Sequence, residues 1–115
     1  MTHDLKKLQR AARFLQKRLT VFPKIGLVLG SGLSDALVGV LQREQRFPWG
    51  KIPNFPQPTV VGHAGEWVFG ILEEKPVLIS RGRVHFYEGY SMGEIAFPIR
   101  LMKLVGIERL ILTNA

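Results

Sequence analysis

Short apolar runs that alternate with helix-spaced segments predict an α/β fold, with a mixed, largely parallel sheet and flanking helices. Three observations carry this. Ile25-Gly26-Leu27-Val28-Leu29 reads as a buried strand and runs straight into Gly30-Ser31-Gly32-Leu33, a glycine turn leading to a helix N-terminus. Val68–Leu72 and Pro76–Ser80 are apolar and flank Glu73-Glu74-Lys75, which reads as a hairpin. Arg109–Thr113 reads as a last strand with no helix after it. A largely parallel sheet needs cover on both faces. The expectation is therefore that the chain is the N-terminal part of a larger domain, incomplete at its C-terminus. The alternative is a small complete domain that ends on a strand.

The remaining elements follow in chain order. Leu5, Leu8, Ala12, Leu15 and Leu19 keep a 3-4-3-4 spacing, which predicts an amphipathic helix over residues 1–22 that Pro23 breaks. After the glycine turn a short helix is expected from about Ser34 to Gln42. Four of the seven prolines, Pro48, Pro53, Pro56 and Pro58, then fall within eleven residues, which calls for a loop rather than a helix or a central strand. Ser91 and Glu94 form the S-x-x-E pattern that opens a helix. Its apolar positions are expected at Ile95, Ile99, Met102 and Val105, with a kink at Pro98 and a terminator at Gly106.

Composition excludes several classes. A chain of 115 residues is one domain, 1–115, and with 46% hydrophobic and 22% charged residues it is globular rather than disordered. The absence of cysteine excludes disulfides, thiolate metal sites and a cysteine nucleophile. His3, His63 and His85 are too scattered for zinc spacing, so no metal is expected. No apolar stretch has the length of a membrane span or follows the basic N-terminus as a signal sequence would. The expected location is cytoplasmic, without a membrane partner. The net charge of +7 belongs to one end: residues 1–24 hold seven Lys and Arg against Asp4 alone. The rest of the chain is nearly neutral, so the reading is a solvated helix face rather than a nucleic-acid arm.

The candidate chemistry lies at the expected strand ends. In open α/β sheets ligands bind beyond the carboxyl ends of the strands. Gly30-Ser31-Gly32 follows the first strand; Arg81, Arg83 and His85 follow the second hairpin strand; Asn114 follows the last. Glycines let backbone N–H groups approach an anion, and a helix N-terminus adds a favourable dipole. Ser31 adds a hydroxyl, Arg83 a planar fork of donors, and His85 a further donor. Together they describe an oxyanion site, best suited to phosphate. The dinucleotide fingerprint fails because Asp35 stands where Gly or Ala is required, and the Walker pattern is absent.

Four stretches carry a family resemblance: Gly30-Ser31-Gly32-Leu33; Ile52-Pro53-Asn54-Phe55-Pro56 with Thr59 to Gly65; Gly82-Arg83-Val84-His85-Phe86-Tyr87-Glu88-Gly89-Tyr90; and Phe97-Pro98-Ile99-Arg100 leading to Leu112-Thr113-Asn114-Ala115. Over roughly Pro23 to Ala115 the chain resembles the trimeric purine nucleoside phosphorylases of the inosine and guanosine class. The resemblance implies phosphorolysis of purine nucleosides to free base and ribose 1-phosphate, with inorganic phosphate as co-substrate and no cofactor. It implies phosphate ligands at Ser31, His63, Arg83, His85 and the backbone at Ala115, a ribose contact at Tyr87, and catalytic roles for His85 and Asn114. Gly30, Gly32 and Glu88 are expected to support them, Glu88 by orienting His85. Family members usually carry a glycine where Ser34 stands. They are more than twice as long, and their base-contacting residues lie in the part not represented here. The chain is thus expected to hold the phosphate half-site, to trimerise when complete, and to be a poor catalyst alone. Alternatives are a related phosphorylase preferring xanthosine or methylthioadenosine, and a non-catalytic anion-binding or assembly module.

Overall fold

The computed structural model describes residues 2–57, 65–82 and 92–113. The elements run α1 (Thr2–Arg18), β1 (Ile25–Leu29), α2 (Ser31–Val38), β2 (Gln42–Pro48), a 3-10 turn (Trp49–Lys51), β3 (Glu66–Leu72), β4 (Lys75–Arg81), α3 (Met92–Leu104) and β5 (Arg109–Leu112). The strands form one mixed sheet in the order β2-β3-β4-β1-β5. β1 runs parallel to both of its neighbours, β4 and β5, whereas β2/β3 and β3/β4 are antiparallel. This is the mixed α/β architecture that the sequence predicts.

Alternation along the strands divides the core. Leu27, Leu29, Val68, Val77 and Ile79 point to one face and pack with Val38 of α2. Trp67, Phe69 and Leu78 point to the other, against Leu8, Ala11, Ala12 and Leu15 of α1, Leu101 and Met102 of α3, and Val105 just after α3. The basic face of α1 is solvent-exposed while Leu8, Ala12 and Leu15 are buried, as expected of a surface helix; Leu5, expected on the apolar face, is exposed at the open end of the helix.

Several boundaries differ from expectation. α1 stops at Arg18, well before Pro23. Gln45 of β2 ends it: its Nε2 donates to the Arg18 carbonyl at 2.8 Å, and its Oε1 accepts from the Thr20 N–H at 2.8 Å. α2 begins at Ser31 rather than Ser34, because Gly30 takes an extended cap conformation (φ −63°, ψ 160°), and it ends at Val38. Gln42 therefore belongs to β2, an edge strand with a bulge between Gln42 and Gln45, and Pro48 closes that strand where no ladder donor is needed. Among the described side chains Leu101 and Met102 of α3 are buried, with Val105 just after it, while Ile99 is exposed. Met102 and Val105 are thus buried as expected, while Leu101 rather than Ile99 faces the core between α1 and the sheet. α3 ends as expected at Gly106, whose φ of +110° lets the Ile107 N–H reach the Met102 carbonyl at 3.0 Å. Ser91, the expected cap of α3, lies outside the described residues.

The β3–β4 hairpin turns on two residues, Glu73 and Glu74, both at positive φ (48° and 70°). This is the primed turn that matches strand twist, but it is filled with residues that pay a steric cost there. Changing Glu73→Asn together with Glu74→Gly is expected to stabilise the fold by about 1 kcal/mol. Thermal unfolding would register this as a rise of a few degrees.

Candidate functional site

The topology brings the predicted strand ends together. β1 sits between β4 and β5 with Leu29 opposite Arg81 and Val28 opposite Leu112. The turn at Gly30, the Arg81–Gly82 step and Thr113 therefore share one edge of the sheet. β3 enters from the same edge, since Glu66 pairs with Arg81.

At this edge α2 starts abruptly. Gly30 caps it with backbone alone, and the Ser34 N–H donates to the Gly30 carbonyl at 2.9 Å. The geometry of a helix start leaves the amides of residues 31–33 without an intrahelical acceptor, which makes this end receptive to an anion. Neither glycine of the turn has a positive φ. A Cβ at Gly32 would meet nothing within 4 Å, so packing within the described residues does not require glycine there.

Two interactions that local sequence could not reveal hold the turn in place. The Gly30 N–H donates to Thr113 Oγ1 at 3.1 Å, and the Thr113 N–H donates to the Val28 carbonyl at 3.0 Å. Thr113 thereby ties the turn after β1 to the end of β5. On the other side Arg81 bridges two carboxylates: its guanidinium pairs with Asp35 of α2 and donates to Glu66 Oε2 at 2.6 Å. Glu66 also takes Arg46 Nη1 at 3.1 Å. The Arg46 pKa is raised, chiefly by its hydrogen bond to Glu44, with the Glu66 charge adding to it. Arg81, grouped with the candidate anion ligands on sequence grounds, is thus committed to ion pairs that join α2, β4 and β3.

The remaining site residues divide simply. Gly30, Gly32 and the backbone of Ser31 stand at the start of α2. His63, Arg83, His85, Tyr87, Glu88, Asn114 and Ala115 lie outside the described residues. The chain nevertheless reaches each of these segments from the same sheet edge, through Gly65, Gly82 and Thr113. An open groove lined by Ile99, Met102, Ile107 and Leu110 lies beside the other end of β5, away from this edge. Among the described residues no helix is long and apolar enough to cross a membrane, and no group of three or more His, Asp or Glu is placed to hold a metal ion.

Comparison with known proteins gives the same fold and order. Purine nucleoside phosphorylase 1 of Geobacillus stearothermophilus is 47% identical over 108 residues, which cover 94% of this chain and 39% of that protein. The Schistosoma mansoni purine nucleoside phosphorylase solved in complex with inosine superposes with a TM-score of 0.84 at 41% identity, over 96% of this chain and 38% of that one. Isoform 2 from the same organism, solved with cytosine and ribose-1-phosphate, gives a TM-score of 0.87 at 41% identity, over 95% and 38% of the two chains. The chain thus spans about 39% of the length of the curated relative it matches. The family model described as the phosphorylase superfamily matches residues 24–115, and the chain belongs to that superfamily.

Proposed function

We propose that the chain carries the phosphate half-site of a purine nucleoside phosphorylase. The single observation that supports it best is the meeting of three parallel strand ends, β4, β1 and β5, around the unpaired amides that open α2. On this reading Ser31, His63, Arg83, His85 and the Ala115 backbone ligate phosphate, Tyr87 meets the ribose, and Asn114 stands beside the sugar. Gly32 leaves the ligand side of the turn open, and Glu88 orients His85. The solved relatives with inosine and with ribose-1-phosphate supply the substrate class.

The chemistry asks for little beyond placement. A phosphate oxygen bonds to C1′ while the bond from C1′ to the purine nitrogen breaks. The bonding pair leaves with the base, which takes up a proton. Positive charge grows on the ribose ring in between, and a fixed phosphate dianion stabilises it before becoming the nucleophile. The chain's own groups hold that dianion: backbone amides, the Ser31 hydroxyl, the Arg83 guanidinium and the imidazoles of His63 and His85. Inorganic phosphate is the co-substrate, and no organic cofactor or metal enters the scheme. A homotrimer and a cytoplasmic location belong to the same reading.

Arg83 is the residue to test. A hydrogen bond to a charged group contributes about 1.5–3 kcal/mol. Arg83→Ala should therefore weaken phosphate binding on the order of 10- to 100-fold and leave the oligomeric state unchanged. Titration calorimetry with inorganic phosphate, alongside an assay for phosphate-dependent release of hypoxanthine from inosine, decides the matter. Unaltered binding in the variant would remove the anion site from this loop. Binding without phosphorolysis would favour the non-catalytic anion-binding reading.

A further inference from the structure

Two glycines of the site edge touch each other beneath one indole ring. Gly65 precedes β3 and follows residues 58–64, which carry His63. Gly82 follows β4 and precedes residues 83–91, which carry Arg83 and His85. Gly82 has a φ of +87°, and a Cβ on it would lie 3.0 Å from Gly65 Cα and 3.4 Å from Trp49 Cη2 and Cζ2. A Cβ on Gly65 would fall 2.5 Å from Trp49 Cε2 and from the Arg81 carbonyl oxygen. The indole therefore covers both glycines with no room for a methyl group between them.

The backbone of Trp49 holds the same stretch at both ends. Its N–H donates to the Gly65 carbonyl at 3.1 Å. Its carbonyl accepts from Gln57 Nε2, also at 3.1 Å. Trp49 thus touches residue 57, where residues 58–64 begin, residue 65, where they end, and residue 82, where residues 83–91 begin. The ring has little freedom: it is 2% exposed and stacks on Phe55 with centroids 5.2 Å apart. Its Nε1 is buried without a hydrogen-bond partner among the described residues. Trp67 Nε1 is in the same state; what sets Trp49 apart is its contact with Gly65, Gly82 and Gln57 at the two ends of these stretches.

We propose that Trp49 is a positioning residue for anion binding. With Gly65 and Gly82 it fixes the spacing between the stretch that carries His63 and the stretch that carries Arg83 and His85. The inference rests on the phosphate reading given above. An anion site assembled from separate strand ends works only when its donors are held within about 0.5 Å of their places. Arg81, bonded to Glu66, secures the same two strand ends by a second connection.

The test uses the 115-residue chain and inorganic phosphate as the probe. Trp49→Leu should weaken phosphate binding about tenfold or more in titration calorimetry. Gly70→Ala is the comparison: its Cβ would meet the Gln42 carbonyl at 3.0 Å on the same strand, β3, away from the site edge. It should lower the melting temperature while leaving phosphate affinity within about twofold. Equal affinity in wild type and Trp49→Leu overturns the inference, as does loss of affinity in both variants in proportion to their melting temperatures. If Trp49→Leu does not fold, Trp67→Phe leaves Trp49 as the lone tryptophan. Its emission should then shift with phosphate at the calorimetric midpoint, and flat emission while heat shows binding overturns the proposal. A wild-type chain that takes up no phosphate sinks the functional reading and this inference with it. A wild type that binds, beside a variant that binds equally, sinks the inference alone.

Discussion

Gly65→Ala is expected to lower the melting temperature by about 10 °C, through a loss of about 3 kcal/mol. The added methyl group would sit 2.5 Å from the Arg81 carbonyl oxygen, an atom fixed in the ladder between β3 and β4. Backbone cannot step aside as the end of a flexible side chain can. The opposing wall is the Trp49 ring, itself clamped by Phe55. Relief thus requires parting the strands at Glu66–Arg81 or expelling the indole from the core. Gly32→Ala is the matched comparison: nothing lies within 4 Å of that Cβ, and alanine favours helix over glycine by about 1 kcal/mol. Differential scanning calorimetry on the two single variants should give shifts of opposite sign. A Gly65→Ala chain that melts like the wild type would mean that the close approach of β3, β4 and Trp49 is wrong.

Trp67→Ala should cost about 3–5 kcal/mol, a large share of the roughly 5–15 kcal/mol that holds a domain folded. Trp67 is fully buried on β3. Phe55 meets its ring edge-on at 5.3 Å, and Phe69 packs against it at 6.2 Å. Phe55 in turn touches Trp49 and Phe97. Removing the indole would therefore leave a void among three elements: β3, the proline-rich segment after β2, and α3. Urea denaturation should show the midpoint falling by about 2 M. Trp67→Phe retains an aromatic face toward Phe55 and should lose well under half as much. Equal losses in the two variants would mean that ring packing is not what holds this side of the sheet.

What the sequence disclosed depends on the range of the interaction. β1, the hairpin and β5 are legible because buried strands are short and continuously apolar, and α1 because its leucines repeat on one face. β2 is not legible for the converse reason. Gln42-Arg43-Glu44-Gln45-Arg46 is polar and mostly exposed at the sheet edge, and the bulge between Gln42 and Gln45 destroys any alternation. The start of α2 is hidden because Gly-Ser-Gly reads as a turn, although Gly30 alone supplies the bend. For the candidate site, the convergence of strand ends followed from parallel topology. The bond from Gly30 to Thr113 spans 83 residues and that from Asp35 to Arg81 spans 46. Neither leaves a local pattern, and Trp49 reads as one more aromatic in a proline-rich stretch until Gly65 and Gly82 are seen to meet it.

The central place of β1 has a consequence for how the chain is made. Ile25 pairs with Val77 on one side and Arg109 on the other. Both partners leave the ribosome long after β1 does. At about 5–20 residues per second, the first neighbour is synthesised roughly 3–10 s later and the second roughly 4–17 s later. Throughout that interval the most apolar strand of the sheet has an open edge on each side, the state in which strands recruit one another between chains. The chain should therefore depend on chaperones during translation more than its finished stability suggests, and slower growth temperatures should raise its soluble yield.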